Sequence, residues 1–161
     1  MRIQILYILC LSLLALNINA QNKSLPSVEV KTLTGKKINI ESIENDGNPI
    51  IINFWATWCK PCKQELNNIA EVYDDWQDET GVKIIAISVD DSRTSSKVAP
   101  YVNSADWDYE IYLDPNQELA RALGVSSVPH TLLLDKNKYI VWQGRGYVSG
   151  DEDKLIDQVK K

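Results

Sequence analysis

The sequence predicts an α/β fold, with one central mixed β-sheet flanked by helices and preceded by a β-hairpin extension at the N-terminal side. Three observations carry this. "IIINFW" and "VKIIAISVD" are β-branched, apolar runs without a period, as expected of strands buried on both faces. Between them, apolar residues recur at helical spacing. The chain then closes with strand, turn, strand and helix, so antiparallel as well as parallel neighbours are expected. A length of 161 residues suits one domain, and 44% hydrophobic with 24% charged residues is a composition that folds rather than stays disordered. The formal net charge of −5 argues against nucleic acid as a partner, because such proteins present a basic face.

The first twenty residues, "MRIQILYILCLSLLALNINA", carry one charge, Arg2, ahead of an apolar run from Ile5 to Leu16 and a small residue at Ala20. This is a signal-peptide pattern, cleaved after Ala20, and leaves residues 21–161 as one domain. The alternative, a retained anchor, needs about 20 apolar residues, more than the run supplies. Cys10 leaves with the signal, so Cys59 and Cys62 remain in an oxidising, extracytoplasmic (periplasmic) compartment.

Residues 21–26 read as a short flexible polar lead. "SVEVKTLTGKKINIESI" alternates apolar residues around Thr34-Gly35 and predicts the β-hairpin; Asp46-Gly47-Asn48-Pro49 is a turn cluster. After the "IIINFW" strand, Cys62, Leu66, Ile69, Ala70, Tyr73 and Trp76 share one stripe of a helix that Gly81 ends. Residues 92–108 are expected to be helical in part, with Pro100 disfavouring the interior of a helix. "YEIYLD" is a third strand, and Pro115 to Leu123 a helix closed by Gly124. "HTLLLD" and "YIVWQ" flank a "KNK" turn, and Asp151 to Lys160 predicts a last helix with its acids first.

The motif carrying chemistry is Cys59-Lys60-Pro61-Cys62, where strand becomes helix. A disulfide stabilises by closing a long loop, and this loop is minimal, so a staple is a poor use of the pair. Zinc needs about four ligands, and the chain after Ala20 has one C-x-x-C and one histidine, His130; a copper carrier using Cys59, Cys62 and His130 stays open on ligand count. Redox exchange fits the spacing, since residues three apart in a first helical turn have α-carbons about 5–6 Å apart, within disulfide range. Cys59 at the helix start would have its thiolate stabilised by unpaired backbone N–H groups and the helix dipole, with Lys60 acting in the same direction. Pro61 lacks a donor that the first turn does not need. Cys62 falls on the inward stripe, as the resolving partner.

"NFWATWCKPCKQEL" with "SVPHT" downstream resembles the thioredoxin superfamily, and more closely the exported TlpA/ResA-like thiol-disulfide oxidoreductases, over about Leu25 to the C-terminus. The resemblance implies a thioredoxin-like fold. It implies catalysis by Cys59 and Cys62, and a cis Val128–Pro129 bond facing them whose backbone pairs with substrate like an added strand. Trp58, Lys60 and Pro61 would complete the substrate surface. Thioredoxins place a buried aspartate six residues before the first cysteine, where this chain has Asn53; Glu65 instead matches the glutamate that ResA-like proteins hold near the buried cysteine. A Glu65 with a raised pKa, shuttling protons for Cys62, is the expectation, against that of a solvated helix glutamate. His130 replaces a common threonine and reads as a strand residue. Trp55 reads as core and Trp58 as rim, with Trp76, Trp107 and Trp142 as packing residues.

The implied activity is disulfide exchange with protein thiols in the reducing direction, as in cytochrome c maturation. No cofactor or metal is expected beyond the Cys59–Cys62 disulfide. A membrane-linked or periplasmic electron donor is implied, and the working form is expected to be a monomer. A peroxiredoxin-like peroxidase is the enzymatic alternative, although P-x-x-x-T/S-x-x-C is absent before Cys59.

Overall fold

A computed structural model describes residues 23–161. The signal, the anchor alternative and Cys10 lie outside the described residues. Seven strands form one mixed sheet in the order β2-β1-β5-β4-β3-β6-β7. They are β1 (Glu29–Thr32), β2 (Lys37–Asn39), β3 (Ile50–Trp55), β4 (Lys83–Ser88), β5 (Glu110–Leu113), β6 (His130–Leu134) and β7 (Ile140–Arg145). The strands β3, β4 and β5 run parallel, β6 and β7 antiparallel to their neighbours, and the β1–β2 hairpin joins the far side by antiparallel pairing to β5. Every residue of β3 is buried, which explains why its sequence has no polar alternation. The edge strand β7 alternates half-buried and exposed residues instead.

The helices are α1 (Lys60–Ala70), α2 (Tyr73–Thr80), α3 (Val98–Ala105), α4 (Glu118–Leu123) and α5 (Asp151–Val159). No helix among the described residues is long and apolar enough to cross a membrane. Pro100 falls in the first turn of α3, where its missing N–H costs nothing.

Three expectations are corrected. The stripe running from Cys62 to Trp76 is carried by two helices, α1 and α2, broken at Glu71–Val72. The break turns Tyr73 onto the sheet, where its hydroxyl accepts from the backbone N–H of Ile84 at 3.1 Å. Gly81, left-handed at φ 67°, therefore closes α2 rather than a single long helix. The lead before the hairpin is not flexible over its described part: Leu25 is buried, and the Lys23 carbonyl accepts from Ile140 N–H at 2.8 Å. The helix expected from Pro115 starts at Glu118, because the buried Asp114 carboxylate caps it, accepting from Glu118 and Ala120 N–H at 2.8 and 2.9 Å.

Candidate active site

The fully buried β3 delivers the chain to the top of the sheet, and residues 56–58 turn it into α1. Cys59 is the N-cap of α1, extended at φ −89°, and its Sγ accepts from Cys62 N–H at 3.3 Å. Lys60 and Pro61 occupy the first helical positions and are exposed. Cys59 and Cys62 are disulfide-bonded with α-carbons 5.4 Å apart, a separation the first turn supplies without distortion. Cys62 is fully buried; Cys59 is only 5% exposed, so the contrast in accessibility between them is smaller than the sequence suggests. Trp58, 63% exposed, is a large apolar surface beside the disulfide. Beneath it Trp55 is buried edge-on against Trp107, with ring centroids 4.9 Å apart, giving the turn a rigid floor.

The Val128–Pro129 peptide bond is cis. Phe54 pairs with His130 across β3 and β6, so Pro129 lies level with the end of β3, where the chain leaves for the cysteines. The Pro129 carbonyl accepts from Gly146 N–H at 2.9 Å, which ties this corner to the β7–α5 loop.

Glu65 lies one turn beyond Cys62 on the inward face of α1 and is 6% exposed, which rules out the solvated alternative. Its Oε1 accepts from Thr131 Oγ1 at 2.9 Å, and that hydroxyl accepts from Asn53 Nδ2 at 2.8 Å. Glu65 Oε2 and Asn53 Oδ1 have no protein partner, and a proton on Glu65 would add a donor to this group of acceptors. Burial raises the Glu65 pKa to about 7; the Asn53 and Thr131 donors oppose the rise, and the charges of Asp151 and Glu152 add to it. Asn53 thus joins the buried carboxyl through Thr131, a residue that the sequence reading passed over. Its signal was available only as a polar residue in an otherwise apolar strand.

His130 is 1% exposed and neither ring nitrogen has a hydrogen-bond partner. Burial lowers its pKa, as does the charge of Arg145 opposite it on β7. Among the described residues no three His, Cys, Asp or Glu side chains gather at metal-binding spacing; the set of Cys59, Cys62 and His130 that a copper carrier requires is not assembled.

The sequence reading also missed Asp90. This fully buried carboxylate, two residues past β4, accepts from Thr57 N–H at 2.8 Å, Thr57 Oγ1 at 2.6 Å and Ser88 Oγ at 2.9 Å. It therefore fixes the turn that carries Trp58 and Cys59. Asp90→Ala is expected to cost about 2–3 kcal/mol by leaving buried donors unpaired. Urea denaturation of the oxidised protein measures this, and an unchanged midpoint would show the turn to be held by other contacts.

A disulfide capping a helix at the end of a central parallel strand, with a proline-opened antiparallel strand alongside, defines the thioredoxin-like class. The AhpC/TSA family profile matches residues 22–143, and the chain belongs to that family. It is 32% identical over 139 residues to the thiol-disulfide oxidoreductase ResA of Bacillus thuringiensis subsp. konkukian, covering 86% of this chain and 76% of that one. A thioredoxin-like protein from Porphyromonas gingivalis, solved in solution, superposes with a TM-score of 0.76 at 46% identity, over 84% of this chain and 89% of that one. The StoA crystal structure from Bacillus subtilis gives a TM-score of 0.65 at 25% identity, covering 84% of this chain and all of that one. The chain is thus an oxidoreductase of the ResA type acting on thiols and disulfides.

Proposed function

We propose that this protein is an exported, extracytoplasmic reductase of protein disulfides, working as a monomer with the Cys59–Cys62 pair as its redox group. The observation that carries the proposal is the placement of the pair, with Cys59 at the helix cap and Cys62 buried one turn inside. In the reduced protein, the Cys59 thiolate attacks one sulfur of a substrate disulfide. A Cys59–substrate disulfide forms and the other substrate sulfur leaves as thiolate. Cys62 passes its proton to Glu65 and attacks Cys59 Sγ, which releases the second substrate thiolate and leaves the Cys59–Cys62 disulfide. Two electrons pass from the protein to the substrate, and a membrane-linked or periplasmic dithiol donor restores them.

In this reading Trp58 gives the substrate an apolar platform beside Lys60 and Pro61, and the Val128–Pro129 backbone aligns it as an added strand. The similarity to a thiol-disulfide oxidoreductase supports dithiol–disulfide exchange. The reducing direction, with substrates of the kind handled in cytochrome c maturation, is what the resemblance of the Cys59-Lys60-Pro61-Cys62 stretch to ResA-like proteins implies. For the peroxidase reading, the positions where its motif has Pro and Thr or Ser hold Ile52 and Ala56, both fully buried and apolar. A hydroxyl to polarise a peroxide is therefore missing at that place.

Cys62→Ser in the full chain is the direct test. It should accumulate mixed disulfides through Cys59 that reductant releases, with proteins bearing reducible disulfides as the captured species. Failure to trap any thiol partner, together with an unaltered protein inactive on insulin disulfides, would overturn the proposal.

A further inference from the structure

A cavity of about 200 Å³ lies between β6, β7 and α5, and its walls include Glu65, Thr131, Trp142, Gly144, Asp151 and Lys154. Neither cysteine lines it. The Glu65 oxygen without a protein partner, Oε2, belongs to a side chain more than nine-tenths buried, and an acceptor in that position is ordinarily satisfied by ordered water. The cavity has room for several waters and the polar groups to hold them. At its outer end the exposed Lys154 ammonium pairs with Asp151 at 2.7 Å, so the cavity reaches the surface on the α5 side.

We propose that this cavity is the route by which Glu65 exchanges its proton with solvent, a back door separate from the cysteine face, held open by Gly144. The inference rests on the proton-shuttle role given to Glu65 above. Gly144 pairs with Thr131 across β6 and β7, and Trp142, two residues earlier, lies on the same face of the strand. The indole folds directly over Gly144: a Cβ there would overlap Trp142 Cη2. Glycine lets the ring lie flat along the strand as one wall. A side chain at 144 requires the indole to shift, and because that ring is a wall of the cavity the substitution reshapes the space that the waters need.

The chemistry is a proton transfer alone. Glu65, protonated by Cys62 during resolution, releases that proton from Oε2 to a cavity water, and the water chain passes one proton to bulk near Asp151 and Lys154. No electrons move. Substrate seated over Trp58 and Pro129 would close the cysteine face to water while the shuttle is needed, and a second opening lets Glu65 reset with substrate still bound.

The test compares insulin-disulfide exchange by the unaltered chain, Gly144→Ala and Glu65→Gln from about pH 5 to about pH 9, in H₂O and D₂O. Gly144→Ala should slow exchange by about tenfold, less than complete loss of a general acid–base group, and enlarge the solvent isotope effect. The Cys59–Cys62 potential against glutathione should not change, which a general structural disturbance would not leave intact. If Glu65→Gln slows exchange and Gly144→Ala matches the unaltered protein, the conduit is refuted and the shuttle stands. Should Glu65→Gln itself have no effect, both fall. If Gly144→Ala does not fold, a high-resolution crystal structure of the unaltered protein decides: waters linking Glu65 Oε2 to the Asp151–Lys154 rim support the route, and a dry cavity overturns it.

Discussion

Cys59→Ser is expected to abolish disulfide exchange, with a loss on the order of a thousandfold or more, because among the described residues it removes the one sulfur placed at the helix cap to meet a substrate. Cys62 cannot replace it, being fully buried at the inward side of α1. Cys62→Ser should behave differently, supporting the first attack and then stalling. The two variants are thus separable by counting substrate thiols released per protein: none for Cys59→Ser, one for Cys62→Ser, two for the unaltered chain. Equal residual turnover in both variants would show that the sulfurs are interchangeable and that the helix cap confers no asymmetry. Neither substitution should weaken the fold greatly, since a disulfide between residues three apart removes little entropy from the unfolded chain.

The second large effect is expected at Glu65, and stability reports it apart from catalysis. Its folded pKa, about 7, lies above its ordinary value of 4.5. Below the ordinary value both folded and unfolded chains carry the proton, so the group adds nothing to the pH dependence. As pH rises from about 4.5 to about 7, the unfolded chain gives up the proton that the folded chain keeps, and stability falls. Above about 7 both states are ionised and the loss levels off, at about 3 kcal/mol by linkage. Glu65→Gln removes this titration while preserving shape. Measured by urea unfolding, the variant should gain about 3 kcal/mol over the unaltered protein on passing from about pH 4 to about pH 8. A difference that stays constant across that range would show Glu65 to be ionised normally. The retention of a carboxyl at such a cost is what a proton-handling group would require.

Much of the architecture was legible because it is written in local pattern. The unbroken apolar run of β3 announces a central strand, the β1–β2 alternation announces a hairpin, and Cys59-Lys60-Pro61-Cys62 at the change from strand to helix places a redox pair at a helix start. The break between α1 and α2 was not legible, because Ile69, Tyr73 and Trp76 keep helical spacing across it. It follows from the fit of Tyr73 against the backbone of Ile84, a contact with no local signature.

By itself the sequence determined the succession of strands, the position of the disulfide and the family to which the chain is similar, since all three depend on neighbours within a few residues. Only the tertiary structure decided what surrounds that disulfide. Asp90 reaches back 33 residues to hold Thr57, and Thr131 reaches Glu65 across 66. The cavity behind Glu65 needs β6, β7 and α5 together. Burial and hydrogen bonding set the proton affinity of a carboxyl, and both are properties of the packed sheet and helices, so the raised pKa of Glu65 arises only when strands distant in sequence have closed around it.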